Sequence, residues 1–230
     1  MPEILKQFDI KQAIVTDVMH DEEYLDYGIT TVRDLTRAVV KVQDGCDRFC
    51  TYCIIPYARG KVRSRKPESI INEVKEIAQK GFKEIVITGI HLASYGKDFK
   101  EDEIKKSLTI LNRQPSNITY QDEKDDLHNG FFRFIDLLEE LDKIDGIERI
   151  RIGSIEPKWA DEKTIERLAK LNKLCHQFHL SLQSGCNETL KRMNRRYLAE
   201  DYKHTVELLR QAFNDVILTT DVIVGFPRSN

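Results

Sequence analysis

The stretch Ala38-Val39-Val40-Lys41-Val42-Gln43-Asp44-Gly45-Cys46-Asp47-Arg48-Phe49-Cys50-Thr51-Tyr52-Cys53 sets the reading of the whole chain. Ala38–Gln43 is rich in β-branched side chains and reads as a strand. Asp44-Gly45 supplies a turn. The turn delivers three cysteines with C-x3-C-x2-C spacing, which returns three thiols to one point. The remaining two of the five cysteines are Cys175 and Cys186. The count is odd, and Met1 to Gln12 holds no apolar secretory segment, so metal or catalytic use outweighs a disulfide framework. A structural zinc site wants four ligands, and no second CxxC or HxxxH is present to complete one. An iron–sulfur cubane takes one thiolate per iron, so three thiolates leave one iron open to a substrate or cosubstrate. A zinc ion shared with a distant histidine such as His91 is the other use of the same three residues. Cys175 and Cys186 stand apart and read as small buried residues.

Outward from this loop the chain alternates strand and helix. Lys66-Pro67-Glu68 opens a helix with proline in its first turn, its apolar stripe is Ile70, Ile71, Val74, Ile77 and Ala78, and Gly81 ends it. Glu84–Ile90 reads as a buried strand. Phe131, Phe134, Ile135, Leu138 and Leu141 form a second stripe, and Arg149–Ile155 a third strand. Asp161 caps a helix carrying Ile165, Leu168 and Ala169, and Phe178–Gln183 is the fourth strand. Tyr202, Val206, Leu209 and Phe213 mark another helix before a fifth strand at Val216–Val224. Repetition of this kind implies a parallel sheet or barrel with right-handed crossovers.

In such folds sites are built where strands end. The five strands end at the cysteines, at Thr88-Gly89-Ile90-His91, at Ser154-Ile155-Glu156-Pro157, at Gln183-Ser184-Gly185 and at Gly225-Phe226-Pro227. One such turn is weak evidence, but five beside a three-thiol loop are a sharper signal.

The 230 residues, 40% hydrophobic and 32% charged, exclude a disordered or collagen-like chain and suffice for a real core. Apolar runs such as Ile85-Val86-Ile87 are too short to span a bilayer. The net charge is only −2, yet Arg33 to Lys66 holds nine basic and three acidic residues. Lys191, Arg192, Arg195 and Arg196 form a second basic cluster. Local patches on a near-neutral chain point to an anionic partner such as a phosphate backbone or a carboxylate. Residues 1–36 offer one weak strand at Ala13–Val18, and 99–129 is a hydrophilic insertion with room for a short helix at Ile104, Leu108 and Leu111.

The cysteine loop resembles that of the radical S-adenosylmethionine (SAM) superfamily. Val42–Gly60, Arg63-Ser64-Arg65, Thr88–His91, Ser154–Pro157, Leu182–Gly185, Met193–Tyr197 and Asp221–Pro227 together resemble the methylthiotransferases that modify the tRNA adenosine beside the anticodon. The nearest resemblance is to the branch acting on N6-threonylcarbamoyladenosine at position 37. It implies an α/β fold, a partial TIM-like (β/α) barrel of the radical SAM type with about five of six βα units. It implies an enzyme transferring a methylthio group to C2 of that nucleoside. The implied cofactors are a [4Fe–4S] cluster on Cys46, Cys50 and Cys53, and SAM. Tyr52 would meet the adenine, the Gly89 turn the SAM amino group and Arg195 its carboxylate, with Ser154 and Gln183 on ribose or substrate. The basic stretch Arg59–Lys66 would face the RNA backbone. His91 is a candidate for acid–base work or for packing, and His176 and His179 are expected to be structural. The implied partners are tRNA and a reductant such as flavodoxin or ferredoxin, in the cytoplasm and away from membranes.

The departures are specific. Family members carry three further cysteines in an N-terminal domain, and this chain has none before Cys46. They continue with Gly-Glu-Thr after the Gly-Phe-Pro turn, whereas Pro227 is followed here by Arg228-Ser229-Asn230. The expectation is therefore residues 1–36 as the remnant of an N-terminal domain and 37–230 as a core incomplete at its C-terminal end, a fragment keeping cluster binding and SAM cleavage. The alternatives are methylthiolation of isopentenyl-adenosine in tRNA, methylthiolation of a ribosomal protein, or a non-catalytic metal-binding fragment.

Overall fold

The computed structural model describes residues 18–20, 23–26, 36–100, 102, 105, 106, 109 and 132–228. Most of the expected N-terminal remnant, its weak strand up to residue 17, and most of the 99–129 insertion lie outside the described residues, as do Ile104, Leu108 and Leu111 of its expected short helix; Asp102, Lys105, Lys106 and Thr109 beside them are helical.

The elements are β1 (Ala38–Asp44), α1 (Ile55–Arg59), β2 (Arg63–Ser64), α2 (Pro67–Gln79), β3 (Glu84–Gly89), α3 (Phe134–Asp142), β4 (Arg149–Ile152), α4 (Glu162–Leu168), β5 (Gln177–His179), α5 (Asn187–Arg192), α6 (Ala199–Ala212) and β6 (Ile217–Thr219). β1 runs parallel to β3, from Ala38 opposite Ile85 to Gln43 opposite Gly89, and β3 runs parallel to β4. β5 and β6 form a second parallel pair, and single bridges Ile150–Leu174 and Ile155–Leu180 carry the order from β4 to β5. The result is the expected parallel α/β sheet, open rather than closed into a full barrel.

The alternation follows from burial. Val40, Val42, Ile85, Ile87, Ile150 and Ile152 are buried on the strands, and Ile70, Ile71, Val74 and Ile77 of α2 and Phe134, Leu137, Leu138 and Leu141 of α3 cover them. Each such side chain contributes about 1.5–3 kcal/mol by leaving water. Asp161 caps α4 as expected, its carboxylate accepting the Thr164 amide at 2.7 Å. The amino end of the sheet is fastened by Glu84, which takes Arg149 at 2.8 Å and Arg151 at 3.2 Å. Ion pairs thus hold one end of the sheet, and the other end carries the cysteines.

Three differences from the sequence reading have physical causes. β4 stops at Ile152 and β6 at Thr219, short of Ile155 and Val224, because beyond those points only the single bridges Ile155–Leu180 and Gln183–Val222 continue the pairing. Ile217, Val222 and Val224 on β6 and the segment after it are exposed. The hairpin strand β2 pairs antiparallel with the end of β1, Gln43 opposite Ser64, and at two residues is too short for a period to show within a basic run. Helices α1 and α5 are too short for their periodicity to show.

Candidate functional site

Gly45 starts the cysteine loop with φ +70°, and a Cβ there would lie 1.7 Å from the Lys61 carbonyl oxygen. Only glycine fits both constraints. The Cys46 amide donates to the Gly60 carbonyl at 3.0 Å, and the Cys53 amide to the Cys50 carbonyl at 2.9 Å. All five cysteines are free thiols. Burial pushes the Cys46 thiol up to about 11.

Residues far away in sequence hold the loop. Asn194 Nδ2 donates to the Arg48 carbonyl at 3.1 Å and the Phe49 carbonyl at 3.0 Å. The Thr51 amide donates to Met193 O at 3.2 Å, and its hydroxyl to Arg192 O at 3.0 Å. Arg195 Nη1 lies 3.3 Å from Cys50 Sγ, and its Nε donates to Tyr197 Oη at 3.0 Å. Burial opposes the Arg195 charge, but Tyr197, Glu156, Cys50 and Tyr52 around it favour the charged form. Burial also raises Tyr52 to about 12, although its ring stays partly exposed beside Arg195 and Cys50.

Beneath the loop lies a polar lattice that sequence reasoning missed. Gln43 is fully buried, and its Nε2 donates to the Asp44 and Gly45 carbonyls while its Oε1 accepts the His91 amide at 2.7 Å. The space that a Cβ on Gly89 would need is already held by Gln43 and Leu92 atoms 3.0–3.1 Å away. His91 Nε2 sits 2.7 Å from Glu156 Oε2, and His91 Nδ1 sits 2.6 Å from Ser94 Oγ. Arg48 Nε approaches the same Glu156 oxygen at 3.4 Å. Burial alone would raise the Glu156 carboxyl, but His91, Arg48 and Arg195 hold it down to about 2. The lattice ties together the ends of β1 and β3, the turn after β4 and the cysteine loop. Both ring nitrogens of His91 are thereby engaged within the lattice. The signal for Gln43 was a polar side chain inside an otherwise apolar strand; for Glu156 it was an acid between Ile155 and Pro157.

Cys46, Cys50, Cys53, Tyr52 and Arg195 are gathered at one rim, and Gly89 lies opposite Gln43 in the sheet beneath them. Ser154 is exposed after β4, and Gln183 is half-buried at φ +67° in the turn after β5, its backbone bonded to Asp221 and Ile223. Neither side chain bonds to the cysteine loop among the described residues. Arg65 departs from its expected place on an RNA-facing stretch: it is buried and bonds Asp26, Glu73 and Ser69. Cys186, the N-cap of α5 with its amide bonded to Ser184 Oγ, is exposed rather than buried, while Cys175 is half-buried. His176 and His179 pair with Asp215 and Thr219, a structural use as expected. Among the described residues no group of three or more His, Cys, Asp and Glu is arranged around a single point. A cubane distributes its thiolates over separate irons, and three free thiols on one pinned loop fit that donor set.

The parallel sheet with a three-thiol loop at its carboxyl rim defines a cofactor-binding α/β enzyme core. The profile of the Radical SAM superfamily matches residues 40–230, and the chain belongs to that superfamily. Its cofactors are SAM and a [4Fe–4S] cluster. The chain is 39% identical over 227 residues to a "tRNA-2-methylthio-N(6)-dimethylallyladenosine synthase" from Thermoanaerobacter sp. (strain X514), covering 98% of this chain and 42% of that one. It is 37% identical over 214 residues to a "Threonylcarbamoyladenosine tRNA methylthiotransferase" from Bacillus subtilis, covering 93% and 41%. The chain therefore spans about two fifths of the length of these curated relatives. Among solved structures, a radical SAM methyltransferase from Kitasatospora setae matches with TM-score 0.52 and 17% identity over 84% of this chain and 32% of that one, a likeness of fold alone. No helix among the described residues is long and apolar enough to cross a membrane.

Proposed function

We propose that this chain carries the SAM-activating core of a tRNA methylthiotransferase, with Cys46, Cys50 and Cys53 holding the [4Fe–4S] cluster. The observation that carries the reading is the loop of three free thiols clamped at the sheet's carboxyl rim by the 192–195 segment. When bound, the cluster supplies the electron that cleaves SAM to methionine and a 5′-deoxyadenosyl radical. This chain's residues bind and orient: the Arg195 guanidinium suits the SAM carboxylate, Tyr52 offers an aromatic edge for adenine, and the Gly89 turn offers backbone carbonyls. Ser154 and Gln183, in the turns after β4 and β5, would meet ribose or substrate. Flavodoxin or ferredoxin would serve as reductant in the cytoplasm. Residues 37–230 form the SAM-activating core, and residues 1–36 the tail of a preceding unit.

The finer substrate is N6-threonylcarbamoyladenosine at position 37, supported by the Asp44-Gly45-Cys46 and Asn194-Arg195-Arg196-Tyr197 wording and by the name of the B. subtilis relative. The second reading, a dimethylallyl (isopentenyl) adenosine, draws on the name of the Thermoanaerobacter relative. Anaerobic reconstitution with iron and sulfide should give a brown protein that forms 5′-deoxyadenosine from SAM and dithionite, and Cys50→Ser should abolish both. Colourless protein with one zinc and no deoxyadenosine would sink the enzyme reading. Mass spectrometry of tRNA nucleosides from a strain lacking the gene separates the two substrates by which methylthio nucleoside disappears.

A further inference from the structure

Beside the cysteine loop a cleft of about 500 Å³ is lined by Lys158, Lys191, Arg195 and Arg196, with Glu188 as its one acidic lining residue. Asp201 lies 3.5 Å from Lys158, and Glu188 lies 3.9 Å from Arg192. Lys191 makes no ion pair among the described residues, and both Lys191 and Arg196 are exposed. The cleft is continuous with the loop through Asn194, which clamps the Phe49 carbonyl.

Phe49 holds the other half of the argument. Its backbone is left-handed, with φ +49°, a conformation that costs a bulky residue about 1–2 kcal/mol. That conformation leaves its ring 39% exposed, edge-on to Tyr57 at 5.6 Å between centroids, and Tyr57 is itself 62% exposed. Two partly exposed aromatic side chains, joined to the cationic cleft through the Asn194–Phe49 bond, match a strand that offers flat bases and phosphates together. A duplex hides its bases, and an acidic peptide has no flat rings to stack.

We infer that this strip grips the single-stranded loop of the RNA substrate, with Lys158, Lys191 and Arg196 on phosphates and Phe49 and Tyr57 stacking on unpaired bases. The inference rests on the tRNA reading above. The test is fluorescence anisotropy of a labelled anticodon stem-loop RNA with the full 230-residue chain across a salt series. Lys191→Glu should weaken binding and lower the slope of log affinity against log salt by about one. Tyr57→Ala should weaken binding about tenfold and leave that slope unchanged. Lys203→Glu, an equal charge change on the exposed face of α6, should do neither. All three variants should still form 5′-deoxyadenosine, which shows that they fold. RNA binding by the parent chain with Lys191→Glu no worse than Lys203→Glu, or with Tyr57→Ala unaffected, would overturn the strip and leave the tRNA reading standing. A parent chain that cleaves SAM and binds no RNA would overturn both.

Discussion

Replacing Glu156 by glutamine keeps the volume of the side chain and removes one charge from beneath the cysteine loop. The carboxylate is 3% exposed and holds His91 Nε2 at 2.7 Å and Arg48 Nε at 3.4 Å. Its pKa stands at about 2, against 4.5 when unperturbed. That difference of roughly 2.5 units corresponds to about 3 kcal/mol of stability near neutral pH. Breaking a buried pair from one side independently costs about 3–5 kcal/mol, so the two routes agree. The folded value is depressed, so the contribution is complete above the unfolded pKa and is lost as pH falls towards the folded one. Linkage puts the loss at about 1 kcal/mol by pH 4 and about 2 kcal/mol by pH 3. Urea titrations of parent and Glu156→Gln should therefore differ by about 3 kcal/mol at pH 7, or roughly 6–12 °C in Tm for a chain of this size. The gap should narrow steadily from pH 5 downwards. A difference below about 0.5 kcal/mol at pH 7, or one that stays flat to pH 3, would refute the reasoning that this carboxylate is a paired, buried anion.

The other outcomes concern the loop itself. Gly45→Ala places a methyl against the Lys61 carbonyl at φ +70°, so iron and sulfide content after reconstitution should fall sharply even where the far-ultraviolet spectrum is kept. Asn194→Ala removes both clamps on the Arg48 and Phe49 carbonyls, and hydrogen exchange across residues 46–53 should quicken by about tenfold or more, at roughly 1–3 kcal/mol of lost local stability. Cys175→Ser and Cys186→Ser should leave iron content and deoxyadenosine formation at parental levels, since neither thiol belongs to the loop.

Much of the architecture was legible in the sequence because burial writes a period into the chain. The stripe Ile70, Ile71, Val74, Ile77 fixed a helix, and the short β-branched runs at Ala38–Asp44 and Glu84–Gly89 fixed strands, since a parallel sheet buries both faces. Strand ends were less legible. β4 and β6 finish where pairing thins to single bridges, a property of neighbours and not of local composition. The three cysteines, Tyr52 and Arg195 could be singled out because spacing and family resemblance live in the linear chain.

Only tertiary structure decided what surrounds them. It brought Asn194 and Arg195 onto a loop some 145 residues earlier in sequence. It set His91 into the Gln43, Glu156 and Arg48 lattice, with both ring nitrogens bonded. It withdrew Arg65 from the basic stretch into pairs with Asp26 and Glu73. The physical reason is common to all of these: a charge or an amide acquires its role from what is within hydrogen-bond reach after folding. Sequence alone therefore determined the periodic core and the thiol spacing, and the three-dimensional fold decided which polar residues hold the site and which merely lie near it in the chain.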